Sequence, residues 1–182
     1  MGSISRPAIS LIMKSRLLLL APLIALLFSA CAGYKIGPTK PHHLDKIVKL
    51  AVPTFSNETL EPRLSVLLTN SVIKQLQADG TYQIGTVDGS DAVLECTIRN
   101  INRSQFRAVR TNVLKTSELR VELSADYRVK QAGTELVLHS GRVFGASNIV
   151  LDPNFQLSEH QAMEVASTRL AQQLVTEISE GW

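Results

Sequence analysis

Cys31 is the residue best placed to take part in a covalent step. It directly follows Ser29 and Ala30, and ahead of them lies an apolar run over residues 17–28, led by Lys14 and Arg16. Small residues after an apolar run mark the cut of a secretory signal, which puts the Cys31 thiol beside the expected cleavage point. The four histidines offer less. His42 and His43 are adjacent and have no further ligand near them in sequence, whereas a tetrahedral metal site needs three or four converging ligands. His139 and His160 stand in no catalytic spacing with a serine, a cysteine or a carboxylate. The chain has no phosphate-binding glycine loop, no CxxC, no HExxH and no GxSxG. The Glu58/Glu61 and Glu177/Glu180 pairs suit solvated helix ends. One further stretch has chemical character. Residues 99–115 hold five cations and no acid, and Phe106 stands between Arg103 and Arg107. Arg103, Arg107, Arg110 and Lys115 beside an apolar tip suit a phosphorylated amphiphile. The same run also suits a solvated loop at a strand end. Together these features predict a binding protein without metal or catalytic cofactor, not an enzyme.

The leader has the layout of a secretory signal over residues 1–30: a basic start, an apolar stretch, then small residues at the cut. Twelve apolar residues span about 18 Å as a helix, short of the ~30 Å hydrocarbon core, so a cleaved signal is expected rather than a membrane span. Met13 could equally open this signal, since MKSRLLLL is a normal beginning. The Ser-Ala-Cys placement resembles the lipobox of bacterial lipoproteins, although Phe28 stands where leucine is usual. That likeness implies a diacylglyceryl group on the Cys31 thiol, an N-acyl chain on its new amino terminus, and no other prosthetic group.

Of 19 basic residues, Arg6, Lys14 and Arg16 precede Cys31 and no acid does, so the remaining chain holds 16 bases against 16 acids. The basic isoelectric point belongs to the leader and argues against nucleic acid as a partner. Removing 30 of 182 residues leaves a length typical of one domain, able to bury about 68–70% of its unfolded surface.

The elements follow from pattern. Residues 31–46, with Gly37, Pro38 and Pro41, form a lipidated start and an extended tether. The domain then occupies 47–182. Residues 47–52 are apolar and β-branched and predict a buried strand ending at Pro53. Pro62 opens a helix whose Leu64, Leu67, Leu68, Val72 and Leu76 make one apolar stripe, and Gly80 closes it. A short strand is expected over 82–87. Ala92, Leu94, Cys96 and Ile98 alternate, which makes Cys96 a buried, unreactive thiol. Residues 118–130 alternate more cleanly, fixing a register. A turn at 131–133 leads into a strand over 134–144, with Gly141 and Gly145 marking a bulge or weak end. Ser158 is expected to cap a last helix, with Gln161 completing a capping box and Leu157 stapled to Ala162. The class is α+β: a two-layer sandwich with a mostly antiparallel sheet of about four strands and two helices on one face.

With these residues in view, the chain resembles the LptE family of lipopolysaccharide-assembly lipoproteins. The likeness is carried by Val52, Pro53, Phe55, Asn57 and Thr59, by the helix that follows, and by the Cys-Ala-Gly-Tyr start at 31–34. It implies an outer-membrane lipoprotein on the periplasmic side that plugs the LptD β-barrel, assists its assembly, and contacts lipopolysaccharide. Ala32 after the lipidated cysteine agrees with outer-membrane sorting. The F-x-N-x-T element also occurs in other envelope lipoproteins. The competing expectation is therefore a periplasmic lipoprotein that activates or docks to another envelope complex, such as a cell-wall synthase.

Overall fold

The alternation over 118–130 is realised in an interior strand of the sheet, paired on both sides. The computed structural model describes residues 40–109, 112–150 and 155–180, with backbone alone at 105–109, 112–117 and 155–156. All lie in one unit, Pro38–Trp182. In chain order the elements are β1 (Lys49–Ala51), β2 (Ser56–Asn57), α1 (Arg63–Asp79), β3 (Gln83–Gly85), β4 (Ala92–Val109), β5 (Asn112–Gln131), β6 (Val137–Val150) and α2 (Phe155–Glu180). A 3-10 turn, His42–Leu44, precedes them.

The sheet has six strands in the order β3-β1-β4-β5-β6, with β2 beside β4. β4–β5 and β5–β6 are antiparallel. β1 runs parallel to β3 and β4, and β2 parallel to β4. This corrects the expected mostly antiparallel sheet of about four strands. Parallel neighbours need a long crossover, and α1 is that crossover between β1 and β3. β2, two residues long, is too short to show a period in the sequence, whereas β3 lies within the strand expected over 82–87.

Leu119, Val121, Leu123, Ala125, Tyr127 and Val129 of β5 are buried, and Ala92, Leu94, Cys96 and Ile98 of β4 join the same core. The helices cover this face. Leu68, Val72 and Leu76 of α1 are fully buried, each contributing about 1.5–3 kcal/mol. Gly80, at φ 75°, donates its N–H to the Leu76 carbonyl and ends α1. Asp79 accepts from Ser179, and Tyr82 donates to the Ile178 carbonyl. The C-termini of α1 and α2 therefore lie together, and the helices run parallel.

Two further expectations are corrected. α2 begins at Phe155, ahead of Ser158. Ser158 is thus buried inside the first turn instead of capping it, and Leu157 is exposed. Phe155, Gln156 and Leu157 contain no helix breaker, so the helix extends back through them. Gly141 and Gly145 sit inside a regular stretch of β6, opposite Tyr127 and Leu123. A Cβ on Gly145 would run into the Ala166 carbonyl and come within 2.7 Å of Leu170. Glycine here permits α2 to approach the strand, and there is no bulge. β6 is an edge strand, and α2 blunts it: Gln173 accepts from Phe144 N–H and Arg169 donates to the Ala146 carbonyl.

Candidate functional site

The motif residues form a knot at the start of α1. Phe55 is buried. Its N–H donates to Thr69 Oγ1 at 3.0 Å and its carbonyl accepts from Ser65 Oγ at 2.5 Å. Asn57 Oδ1 accepts from Thr59 N–H at 2.9 Å and from Thr59 Oγ1 at 2.8 Å, while its Nδ2 donates to the Glu61 carbonyl at 2.7 Å. An Asx turn of this kind fixes the chain direction into a helix. Val52 and Pro53 are half-buried between β1 and this turn. The motif sets the angle between strand and helix and presents no open reactive group.

Arg103 of β4 reaches the same end of the domain. Its guanidinium donates to Glu61 just before α1, at 2.6 Å, and to Glu159 in the first turns of α2. One forked cation thus joins both helix starts to the sheet. Beyond it β4 and β5 continue as a ribbon whose backbone pairs Arg107 with Glu118 and Ala108 with Thr116. Residues 99–109 and 112–115 are therefore strand rather than a loop. The four candidate cations divide accordingly. Arg103 is committed to two carboxylates. Arg107 and Lys115 lie on the two strands of the ribbon. Arg110 lies outside the described residues.

The sheet face turned away from the helices is polar and charge-balanced. Asp126 accepts from Arg99 at 2.8 Å and from Arg142 at 2.5 Å, and Arg99 also donates to Glu58 at 2.5 Å. The hydrogen bonds from Arg142 and then Arg99 hold the Asp126 carboxyl down to about 2. Lys130 bridges Glu95 and Glu135 at 3.1 and 2.8 Å. A shallow hollow beside them is lined by Asn100, Asn102, Arg120, Glu122, Ser124 and Phe144, with Phe144 58% exposed.

The remaining nucleophile and bases are accounted for. Cys96 is buried, and burial, then nearby Asp126, pushes its thiol up to about 12, so it stays protonated and inert. His160 pairs with Glu164 at 3.3 Å, and His139 is hydrogen-bonded to Tyr127 at 2.9 Å. Among the described residues no three His, Cys, Asp or Glu side chains converge as a metal site, and no helix is long and apolar enough to cross a membrane. Cys31 lies outside the described residues.

The family model of LptE, lipopolysaccharide-assembly, matches residues 47–178, from the strand before the motif knot to the last turns of α2. The chain belongs to the LptE family. No protein of curated function aligns with it in sequence. Among solved structures, a Xanthomonas campestris protein is 16% identical, with a TM-score of 0.52 over 71% of this chain and 82% of that one. The hypothetical protein CT253 of Chlamydia trachomatis is 10% identical, with a TM-score of 0.52 over 72% of this chain and 95% of the other. The PelC dodecamer of Paraburkholderia phytofirmans is 13% identical, with a TM-score of 0.50 over 72% and 88%. These likenesses are of fold. The LptE match assigns the chain a role in lipopolysaccharide assembly.

Proposed function

We propose that this chain is a non-catalytic outer-membrane lipoprotein, anchored through acylated Cys31 on the periplasmic side. Its domain plugs an LptD-like β-barrel and assists the barrel's assembly. The observation that carries the reading, beside LptE membership, is the polarity of the domain. The chain enters at the 3-10 turn, where His43 meets His139, the partner of Val129 on β5. Lys115 lies fourteen residues back along β5, about 45 Å away at roughly 3.3 Å per residue. A tethered end and a cationic end so separated suit a plug that stands along a barrel whose apolar band is about 25 Å tall. The balanced charges of the open sheet face suit a polar lumen. Two or more acyl chains, at about 0.8 kcal/mol per buried CH₂, suffice for stable anchoring.

In this reading Arg107, Arg110 and Lys115 meet the phosphates of lipopolysaccharide, and Arg103 fixes the ribbon that carries Arg107 and Lys115. Purification of the tagged chain from solubilised outer membranes tests the plug: a large β-barrel should come with it. Recovery of a peptidoglycan synthase and no barrel would refute the plug in favour of a cell-wall role. Charge reversal at Arg107, Arg110 and Lys115 together should weaken lipopolysaccharide binding, and unchanged binding discards that contact. Cys31→Ala should abolish incorporation of labelled palmitate and release the chain from membranes.

A further inference from the structure

Four side chains from four segments make one hydrogen-bonded line. Tyr127 of β5 donates its hydroxyl to Glu177 Oε2 of α2 at 2.8 Å. Its oxygen lies 2.9 Å from His139 Nε2 of β6, and His139 Nδ1 lies 3.1 Å from Nε2 of His43, in the turn that leads into the domain. The tyrosine has one proton, given to Glu177, so its oxygen must accept from His139 Nε2–H. His139 Nδ1 is then the acceptor, and His43 Nε2–H is the donor. Every polar atom in the line has one role, set from the Glu177 end.

We propose that His43 and His139 form a proton-operated latch, which holds residues 40–47 against the sheet while His139 is neutral and loosens them when it takes a proton. A proton on His139 Nδ1 removes the acceptor that His43 Nε2–H uses and sets N–H against N–H. A proton on His43 Nδ1 leaves its Nε2–H free to donate, so the switch is His139. The other charges around it do not undo this. His42 is paired with Asp45 at 3.4 Å. Asp91, which lines the same cleft as His43 and Lys46, is occupied by the Val48 and Lys49 N–H groups. Lys40 donates to the Ile47 carbonyl. Glu177 alone favours the charged imidazole, and burial together with His43 outweighs it, so the His139 pKa lies below its ordinary 6.5. A lowered pKa contributes stability present above the unfolded value and lost as pH falls through the folded one. The latch is therefore closed above pH about 6.5 and loosens as the pH drops below it. Leu44 and Ile47 are buried alongside and oppose full release. Residues 41–47 reach at most about 25 Å when extended, which bounds the slack that opening gives between β1 and whatever precedes Lys40. This inference does not depend on the barrel reading.

Amide exchange of the full chain in detergent micelles reads the latch directly. Leu44 N–H bonds the Pro41 carbonyl and Ile47 N–H bonds the Leu44 carbonyl, so both report opening. Between pH 7.5 and pH 5.5, after correction for intrinsic exchange, their protection should fall several-fold. His42→Ala should keep the fall. His43→Ala should show low protection at both pH values and no fall, and His139→Gln should also lose the fall. A native chain without the pH step, or a step that survives in His43→Ala, overturns the proposal. Should His139→Gln not fold, His43→Ala decides alone, because that side chain is exposed. Nitrogen chemical shifts at neutral pH should find the His139 proton on Nε2, and finding it on Nδ1 would equally overturn the mechanism.

Discussion

Replacing Arg103 by glutamine should cost the domain about 2 kcal/mol, although the residue belongs to a cationic run that looks like a ligand surface. The guanidinium makes two charge-assisted bonds, to Glu61 and Glu159. Such bonds are worth about 1.5–3 kcal/mol when buried and about 0.2–1 kcal/mol when exposed. The three side chains are 29%, 35% and 23% exposed, between those limits, so about 1 kcal/mol per bond is reasonable. The loss should lower Tm by about 6–8 °C for a domain of this size. Arg103→Lys should recover part of it, because a point charge cannot fork onto two carboxylates from different helices. Thermal melting and urea titration measure the effect. A double-mutant cycle with Glu159→Gln should give a coupling of about 1 kcal/mol, since the second change removes a partner already lost. If Arg103→Gln melts within about 1 °C of the native chain, or the cycle is additive, the clamp is not holding the helix starts.

Gly145→Ala should be more damaging than Gly141→Ala. The first Cβ meets helix backbone as well as a side chain, whereas the second meets a side chain alone, the edge of the Tyr127 ring at 2.9 Å; a cost of about 1–3 kcal/mol at Gly145 is expected from urea unfolding. The stability that Asp126 supplies is complete above about pH 4 and disappears as pH falls through about 2. The gap between native and Asp126→Asn chains in denaturant titrations should therefore close across that window, and a gap independent of pH would contradict the ion network. Cys96 should resist a thiol reagent in native buffer and react fully in denaturant; rapid native labelling would mean that β4 is not packed as described.

Several features were legible in the sequence because they rest on local periodicity. The apolar positions of β5 and α1, the stop at Gly80 and the burial of Cys96 follow from spacings of two, three and four residues and from one glycine's freedom at positive φ. The motif at 52–59 was visible as a family signature. Its physical work, an Asx turn and a buried phenylalanine pinned to Thr69 and Ser65, needed the fold. β2 was hidden because two residues carry no period. Ser158 lies inside α2 rather than at its cap because residues 155–157 hold no helix breaker and continue the helix upstream.

The amino-acid order alone determined which faces of β5 and α1 are apolar, where α1 stops, and that acids and bases balance after Cys31. Tertiary structure decided what each charged or small residue is for. Arg103 lies 42 and 56 residues from its carboxylates, and His43 lies 96 from His139. Gly145 is open because a helix later in the chain passes over it. The reason is distance along the chain. Periodicity is written between neighbours, whereas an ion pair, a close approach or a proton's path depends on segments meeting, and that meeting exists only once the core has closed.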